Sequence, residues 1–140
     1  EGKFAEKSME NAIKDSGIDK DKIVYINAHG TSTKLNDMCE TKAIKNLFGE
    51  KAYDLYVSST KSMTGHLLGA SGAIEAVITV LSMKNSFIPP TINYKVKDDD
   101  CDLNIVPNVG IKHKIDYALS NSFGFGGHNG TILFRSLETL

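Results

Sequence analysis

The sequence predicts an α/β domain layered α-β-α, with helices on both faces of a mixed sheet, and three observations carry that prediction. Helical and strand-like segments follow one another in the order α-β-α-β-α-β-β. Ile23-Val24-Tyr25-Ile26 is a continuous apolar, β-rich run, the composition of a strand covered on both faces of a parallel sheet. Twice, a strand breaks into a loop of small polar residues that leads to a helix, so these loops gather at the sheet edge where open α/β sheets place ligands.

The first helix is carried by Phe4, Ala5, Met9, Ala12 and Ile13 at helical spacing, with Gly17 and Asp19 as its stop. The strand at Ile23 to Ile26 ends in Asn27-Ala28-His29-Gly30-Thr31-Ser32-Thr33. Asp37 with Glu40 has the spacing of a capping box, after which Ala43, Ile44, Leu47 and Phe48 line one face until Gly49. A second strand, Tyr53 to Ser58, leads into Thr60-Lys61-Ser62-Met63-Thr64-Gly65-His66. The helix of about Gly69 to Lys84 is apolar nearly all round, which predicts a buried central helix and makes Glu75 costly unless it is paired or hydrogen-bonded. Residues 85–116 read as irregular, with Pro89-Pro90 and an acidic run at Asp98 to Asp100. Tyr117 to Asn121 and Thr131 to Phe134 read as antiparallel strands joined by a glycine-rich loop from Phe123 to Gly130.

A chain of 140 residues can bury a single core, so one domain over 1–140 is expected. Its formal charge of −1 gives no overall basic field, and no nucleic-acid partner is expected. Cys39 and Cys101 form neither a CxxC nor a zinc-spaced cluster, which predicts no metal site and a reduced, intracellular compartment. No signal or transit peptide is visible. Leu67 to Met83 is short for a membrane span and carries Glu75 at its middle, so no membrane partner is expected.

His29 and His66 each sit just past a strand, among small residues that let a substrate approach the backbone. A single such histidine is more often structural, but two at equivalent loop positions, with Lys61 between strand and helix, point to a site. Neutral imidazoles can donate hydrogen bonds to a carbonyl oxygen gaining negative charge, as stabilising an enolate requires. The glycine-rich loop fails as a nucleotide-binding motif, because Gly124-x-Gly126 is followed by Asn129 where GxGxxG needs glycine. A tight turn presenting a backbone N–H to an oxyanion is its expected use. Ser58-x-x-Lys61 matches the S-x-x-K of serine acylases, a remote alternative because Ser58 falls in a strand. Asp98, Asp100 and Asp102 start like a calcium loop, which Leu103 and Val109 then break. His113 reads as surface. Neither cysteine has the neighbouring base or small-residue elbow of a nucleophile.

Three segments taken together, Ala28-His-Gly-Thr-Ser-Thr33, Ser59-Thr-Lys-Ser-Met-Thr-Gly-His-Leu-Leu-Gly-Ala70 and Asn121-Ser-Phe-Gly-Phe-Gly-Gly127, resemble the motifs of β-ketoacyl-acyl-carrier-protein synthases of the fatty-acid elongating type. The resemblance implies the C-terminal half of a thiolase-like fold with a mixed, mostly parallel sheet of five-stranded type. It also implies a decarboxylative Claisen condensation in which an acylated cysteine, here absent, accepts the carbanion formed from malonyl-carrier protein. His29 and His66 then resemble the pair that binds the malonyl thioester carbonyl, Lys61 the buried lysine of the site, and Glu75 the carboxylate of its network, while Asp37 matches a family position. Phe125, flanked by Gly124 and Gly126, resembles the gate whose N–H completes an oxyanion hole, and Thr31, Thr33 and Phe123 match substrate-binding positions. The resemblance calls for no cofactor. Its partners would be acyl carrier protein, the enzyme's own N-terminal half and, for the full-length enzyme, a second copy in a homodimer, in bacterial cytoplasm or a plastid or apicoplast. A non-catalytic fragment or carrier-protein interaction module is the other reading. Lys34 after the first motif and His128 in the third depart from the usual pattern.

Overall fold

The computed structural model describes residues 2–139, so Glu1 and Leu140, the ends of the expected domain, lie outside the described residues. Helix α1 spans Lys3–Ser16, and Gly17 closes it in the left-handed region (φ 70°) with its N–H bonded to the Lys14 carbonyl. Strand β1 is Tyr25–Asn27, helix α2 Lys34–Phe48 and strand β2 Tyr56–Ser58. The strand expected from Tyr53 is thus shorter, because residues 49–54 wind as a 3-10 turn. A short helix α3, Lys61–Thr64, precedes α4, Ser71–Asn85. The stretch expected to be irregular contains a small antiparallel ribbon of β3, Phe87–Ile88, and β4, Ile111–Lys112. Strands β5, Tyr117–Phe123, and β6, Asn129–Arg135, run two residues further toward their shared loop than the sequence pattern indicates.

The main sheet has the order β2-β1-β5-β6. β1 is parallel to both neighbours and β5 is antiparallel to β6, so the sheet is mixed and mostly parallel. Four strands stand where a five-stranded type was expected. Beyond β2 the next chain segment pairs only through one bridge, Tyr56 with Asn104, and one bond from the Val57 N–H to the Asn104 carbonyl.

The side-chain alternation of the strands sorts the core into two layers. Ile26, Val57 and Leu119 face α1 and α2 together with Met9, Ile13, Ala43, Ile44 and Phe48. Tyr25 and Ala118, directly paired across the sheet, face the other way onto Met83, Ile88, Val106 and Ile115. The α-β-α layering expected from the element order is therefore present.

Helix α4 corrects one expectation, for it is not buried all round in this chain. Its buried residues are Ser71, Glu75, Thr79, Ser82 and Met83, a mostly polar stripe, whereas Ile74, Val77, Val80 and Leu81 are exposed. The polar stripe can be buried because it is satisfied from within: the Thr79 hydroxyl donates to the Glu75 carbonyl and the Ser82 hydroxyl to the Ile78 carbonyl. Even, strong apolarity around the helix predicts burial but cannot say which side is covered by this chain.

Candidate active site

His29 leaves β1 at its C-terminal end, and Lys61 begins α3 just beyond β2, so parallel pairing of Asn27 with Ser58 sets the two loops side by side. All three ammonium hydrogens of Lys61 find acceptors. Its Nζ lies 2.6 Å from the His29 carbonyl oxygen, 3.3 Å from His29 Nδ1, and against Glu75 Oε1 on the buried face of α4. Lysine has only donors, so His29 Nδ1 must accept, and the proton of a neutral His29 sits on Nε2.

His66 is oriented in the same sense by different groups. The Leu68 backbone N–H donates to His66 Nδ1 at 3.1 Å. The Ser71 hydroxyl accepts from the Leu67 N–H at 2.8 Å and lies 3.0 Å from His66 Nδ1. A backbone N–H can only donate, which leaves the proton of neutral His66 also on Nε2. The two rings meet edge to face with centroids 5.5 Å apart, and Phe123 packs on His29 at 5.7 Å.

Electrostatics favour a neutral His29. Burial above all, then the charges of Lys61 and His66, lowers its pKa to about 4. Burial pushes the Glu75 carboxyl above its ordinary range, opposed by the Lys61 ammonium. Glu75 is 1% exposed, and its Oε2 has no hydrogen-bond partner among the described residues.

Lys61 and His66 open onto a cavity of about 720 Å³, also lined by Gly30, Thr31, Asp37 and Glu40, whereas His29 and Glu75 lie behind its wall and do not line it. Thr31 lines it, with its hydroxyl 3.0 Å from that of Thr33. Thr33 itself caps α2, with extended backbone and no side-chain capping bond. The helix therefore starts at Lys34, not at the capping box expected at Asp37 and Glu40. Asp37 lies in its first turn and accepts from the Ser32 N–H at 3.2 Å.

Glu40, read from the sequence only as part of a capping box, lies at the candidate site. Its carboxylate is buried and accepts from the N–H groups of His29 and Gly30, each at 2.9 Å, and from Asn121 Nδ2 at 3.1 Å. The available signal was a carboxylate on the same helical face as Ala43, Ile44 and Phe48, an apolar stripe where a mere cap does not belong.

The glycine-rich segment is brought to the site only in part. Phe123 touches His29, whereas the Phe125 ring is 97% exposed. The Gly124 N–H is bonded to the His128 carbonyl at 2.8 Å, and Gly126 takes a left-handed φ of 78°. The serine-acylase reading is overturned: Ser58 is 1% exposed with its hydroxyl 3.1 Å from that of Tyr25, while the Lys61 ammonium is spent on His29 and Glu75. His113 is partly exposed and meets the Tyr56 ring at a tilt, with centroids 5.0 Å apart. Cys101 also lines the cavity, but burial pushes its thiol pKa up, away from a nucleophilic thiolate.

Residues 1–95 match the family model described as Beta-ketoacyl synthase, C-terminal domain. The 3-oxoacyl-[acyl-carrier-protein] synthase 2 of Staphylococcus aureus strain COL is 54% identical over 138 residues, covering 99% of this chain and 33% of that protein. The chain thus spans about a third of the length of the curated relatives it matches. Among solved structures, a chain of the complex of a type II PKS acyl-carrier protein with its ketosynthase bound to the hexaketide superposes with a TM-score of 0.92 at 42% identity, over 94% of this chain and 32% of that one. A β-ketoacyl synthase from Burkholderia phymatum STM815 gives 0.89 at 38% identity, over 94% and 32%.

Proposed function

The chain belongs to the β-ketoacyl synthase family through its C-terminal domain, with the thiolase-like ketosynthase fold, and from that premise we propose that it supplies the decarboxylating half of a 3-oxoacyl-acyl-carrier-protein synthase of fatty-acid elongation. Malonyl-carrier protein loses carbon dioxide, and the electron pair of the broken carbon–carbon bond passes into an enolate whose oxygen becomes negative. The enolate carbon then attacks an acyl-cysteine thioester and expels the cysteine thiolate. That cysteine belongs to the rest of the enzyme, so residues 1–140 act as one C-terminal domain and, taken alone, complete no condensation.

The observation that carries this reading is that both histidines are held through Nδ1, from which a shared tautomer follows. Lys61 occupies Nδ1 of His29, while Leu68 N–H and Ser71 occupy Nδ1 of His66. Both rings therefore keep an Nε2–H, two preorganised donors for one thioester oxygen as charge develops on it. Lys61, held by Glu75, keeps His29 in place and adds to the burial that keeps its ring neutral. Thr31, Thr33 and Phe123 contact the malonyl-bearing arm, with Asp37 supporting their loop. Phe125, with the flexible Gly124 and Gly126, is the gate and lends its N–H to the acyl oxyanion.

Acyl carrier protein is the partner that delivers both substrates. The apolar face of α4 is covered by the enzyme's N-terminal half, and the full-length protein is a homodimer in bacterial cytoplasm or a plastid. In the full-length enzyme, His29→Ala or His66→Ala should lower malonyl-carrier-protein decarboxylation about 100- to 1,000-fold, the loss typical of removing one such donor. Undiminished carbon dioxide release from either variant would refute the donor role of that histidine.

A further inference from the structure

Helix α4 reaches both histidines from one buried face. Ser71 and Glu75 stand about one turn apart on it, each 1% exposed. Glu75 Oε1 holds Lys61, whose Nζ meets His29 Nδ1 at 3.3 Å, while Ser71 Oγ meets His66 Nδ1 directly at 3.0 Å. The direction of that second contact follows from its neighbours. A Ser71 lone pair accepts from the Leu67 N–H at 2.8 Å, and the Leu68 N–H donates to His66 Nδ1 at 3.1 Å. Nδ1 is therefore an acceptor, so the hydroxyl proton of Ser71 points at the ring. Among the described residues that hydroxyl is bonded to no other acceptor.

The turn that joins His66 to α4 is held against its own preference. Leu68 has φ +51°, a left-handed backbone that is costly for a residue with a Cβ. Its side chain is 73% exposed, so packing within this domain does not pin it there. The turn is tied instead by hydrogen bonds, the Leu67 N–H on Ser71 and the Leu68 N–H on the imidazole. Ser71 thus fixes the turn with its lone pair and the ring with its proton. We propose that Ser71 is the positioning residue of His66, and that α4, acting through Ser71 on His66 and through Glu75 and Lys61 on His29, sets the two Nε2–H donors relative to one another. The proposal rests on the decarboxylating role of His66.

Ser71→Ala in the full-length enzyme removes one hydroxyl from a helix start that alanine suits. Misplacing a reacting group by about 1 Å can cost about 100-fold, so kcat for malonyl-carrier-protein decarboxylation should fall about 5- to 50-fold, with KM changed less than about threefold. In an NMR spectrum of isotope-labelled histidine, the wild-type His66 ring should show a protonated Nε2 and a bare Nδ1; in Ser71→Ala the two nitrogen resonances should move toward each other as the tautomers mix. On a His66→Ala background the same substitution should cause no more than about a twofold further loss, since Ser71 acts only through His66. A normal kcat in Ser71→Ala, an unchanged ring spectrum, or an undiminished further loss in the double variant overturns the proposal. Should Ser71→Ala fail to fold, Ser71→Cys nearly keeps the volume and offers only a weak donor; a kcat loss of about threefold or more, absent on the His66→Ala background, supports the proposal, and an unchanged kcat overturns it. His66→Ala measured alone separates the two questions, because normal decarboxylation there would defeat the underlying role of His66 whatever Ser71 does.

Discussion

Lys61 holds the site by having no spare hydrogen: two go to His29 and one to Glu75. Replacing it with methionine leaves the Glu75 carboxylate buried without its cation, which should cost about 3–5 kcal/mol. Removing both charges, as Lys61→Met with Glu75→Leu, should recover much of that loss in a melting experiment. His29 provides a second measurement. Its folded pKa of about 4 lies below the ordinary 6.5, so the unfolded chain binds more protons between those values, and stability rises with pH across that window. The contribution is full above about pH 6.5 and lost as pH falls toward 4, amounting to at most about 3 kcal/mol. An NMR titration of the His29 ring should show this midpoint, and Lys61→Met should move it upward because a repelling charge is gone. Gly30 is similarly exacting: at φ +40°, an added Cβ would sit 2.5 Å from Ser59 Cβ, so Gly30→Ala should destabilise the loop and displace His29. His29, His66 and Lys61 could be named from their motifs, and Glu75 as a lone carboxylate on an otherwise apolar helix. Glu40 could not, since its amide partners lie in a preceding loop whose path only the β1–β2 pairing defines.

Helix α4 shows how a correct reading of composition can leave orientation undecided. Its apolarity implies a central position, yet this chain buries the line Ser71, Glu75, Thr79 and Ser82 and exposes Ile74, Val77, Val80 and Leu81. The inward face is polar where it meets Lys61 and His66; the outward face is apolar, as the proposed cover by the enzyme's N-terminal half requires. Val77 is 58% exposed in this domain, so Val77→Lys should be harmless to it and damaging where that face is covered. In the full-length enzyme it should lower stability by about 2 kcal/mol or more, read as a shift in melting temperature. An unchanged melting temperature would mean that the face stays open to solvent. The ends of β2 and α2 were misjudged for a local reason. Residues 49–54 wind as a 3-10 turn and Thr33 caps from an extended backbone, neither of which leaves a periodic signature.

At the scale of the molecule, the half-site reading makes a plain forecast. The domain supplied with acyl- and malonyl-carrier proteins should give no 3-oxoacyl product by mass spectrometry, because the acyl-accepting cysteine is proposed to lie in the rest of the enzyme and burial disfavours a Cys101 thiolate. Element types and the antiparallel β5–β6 pair were legible because they are local. The strand order was not, because β1 takes its two partners, β2 and β5, from opposite ends of the remaining chain. That arrangement has a kinetic consequence. Tyr25 and Ile26 can pair with β2 soon after it is made, but their other edge stays open until Ala118 and Leu119 emerge. Sheet closure across so long a separation is intrinsically slow, and an unpaired apolar edge invites pairing with a neighbouring chain. A nascent polypeptide of this fold is therefore most vulnerable to aggregation during the interval in which α4 has been synthesised and β5 has not, and a chaperone that shields it would act in that window.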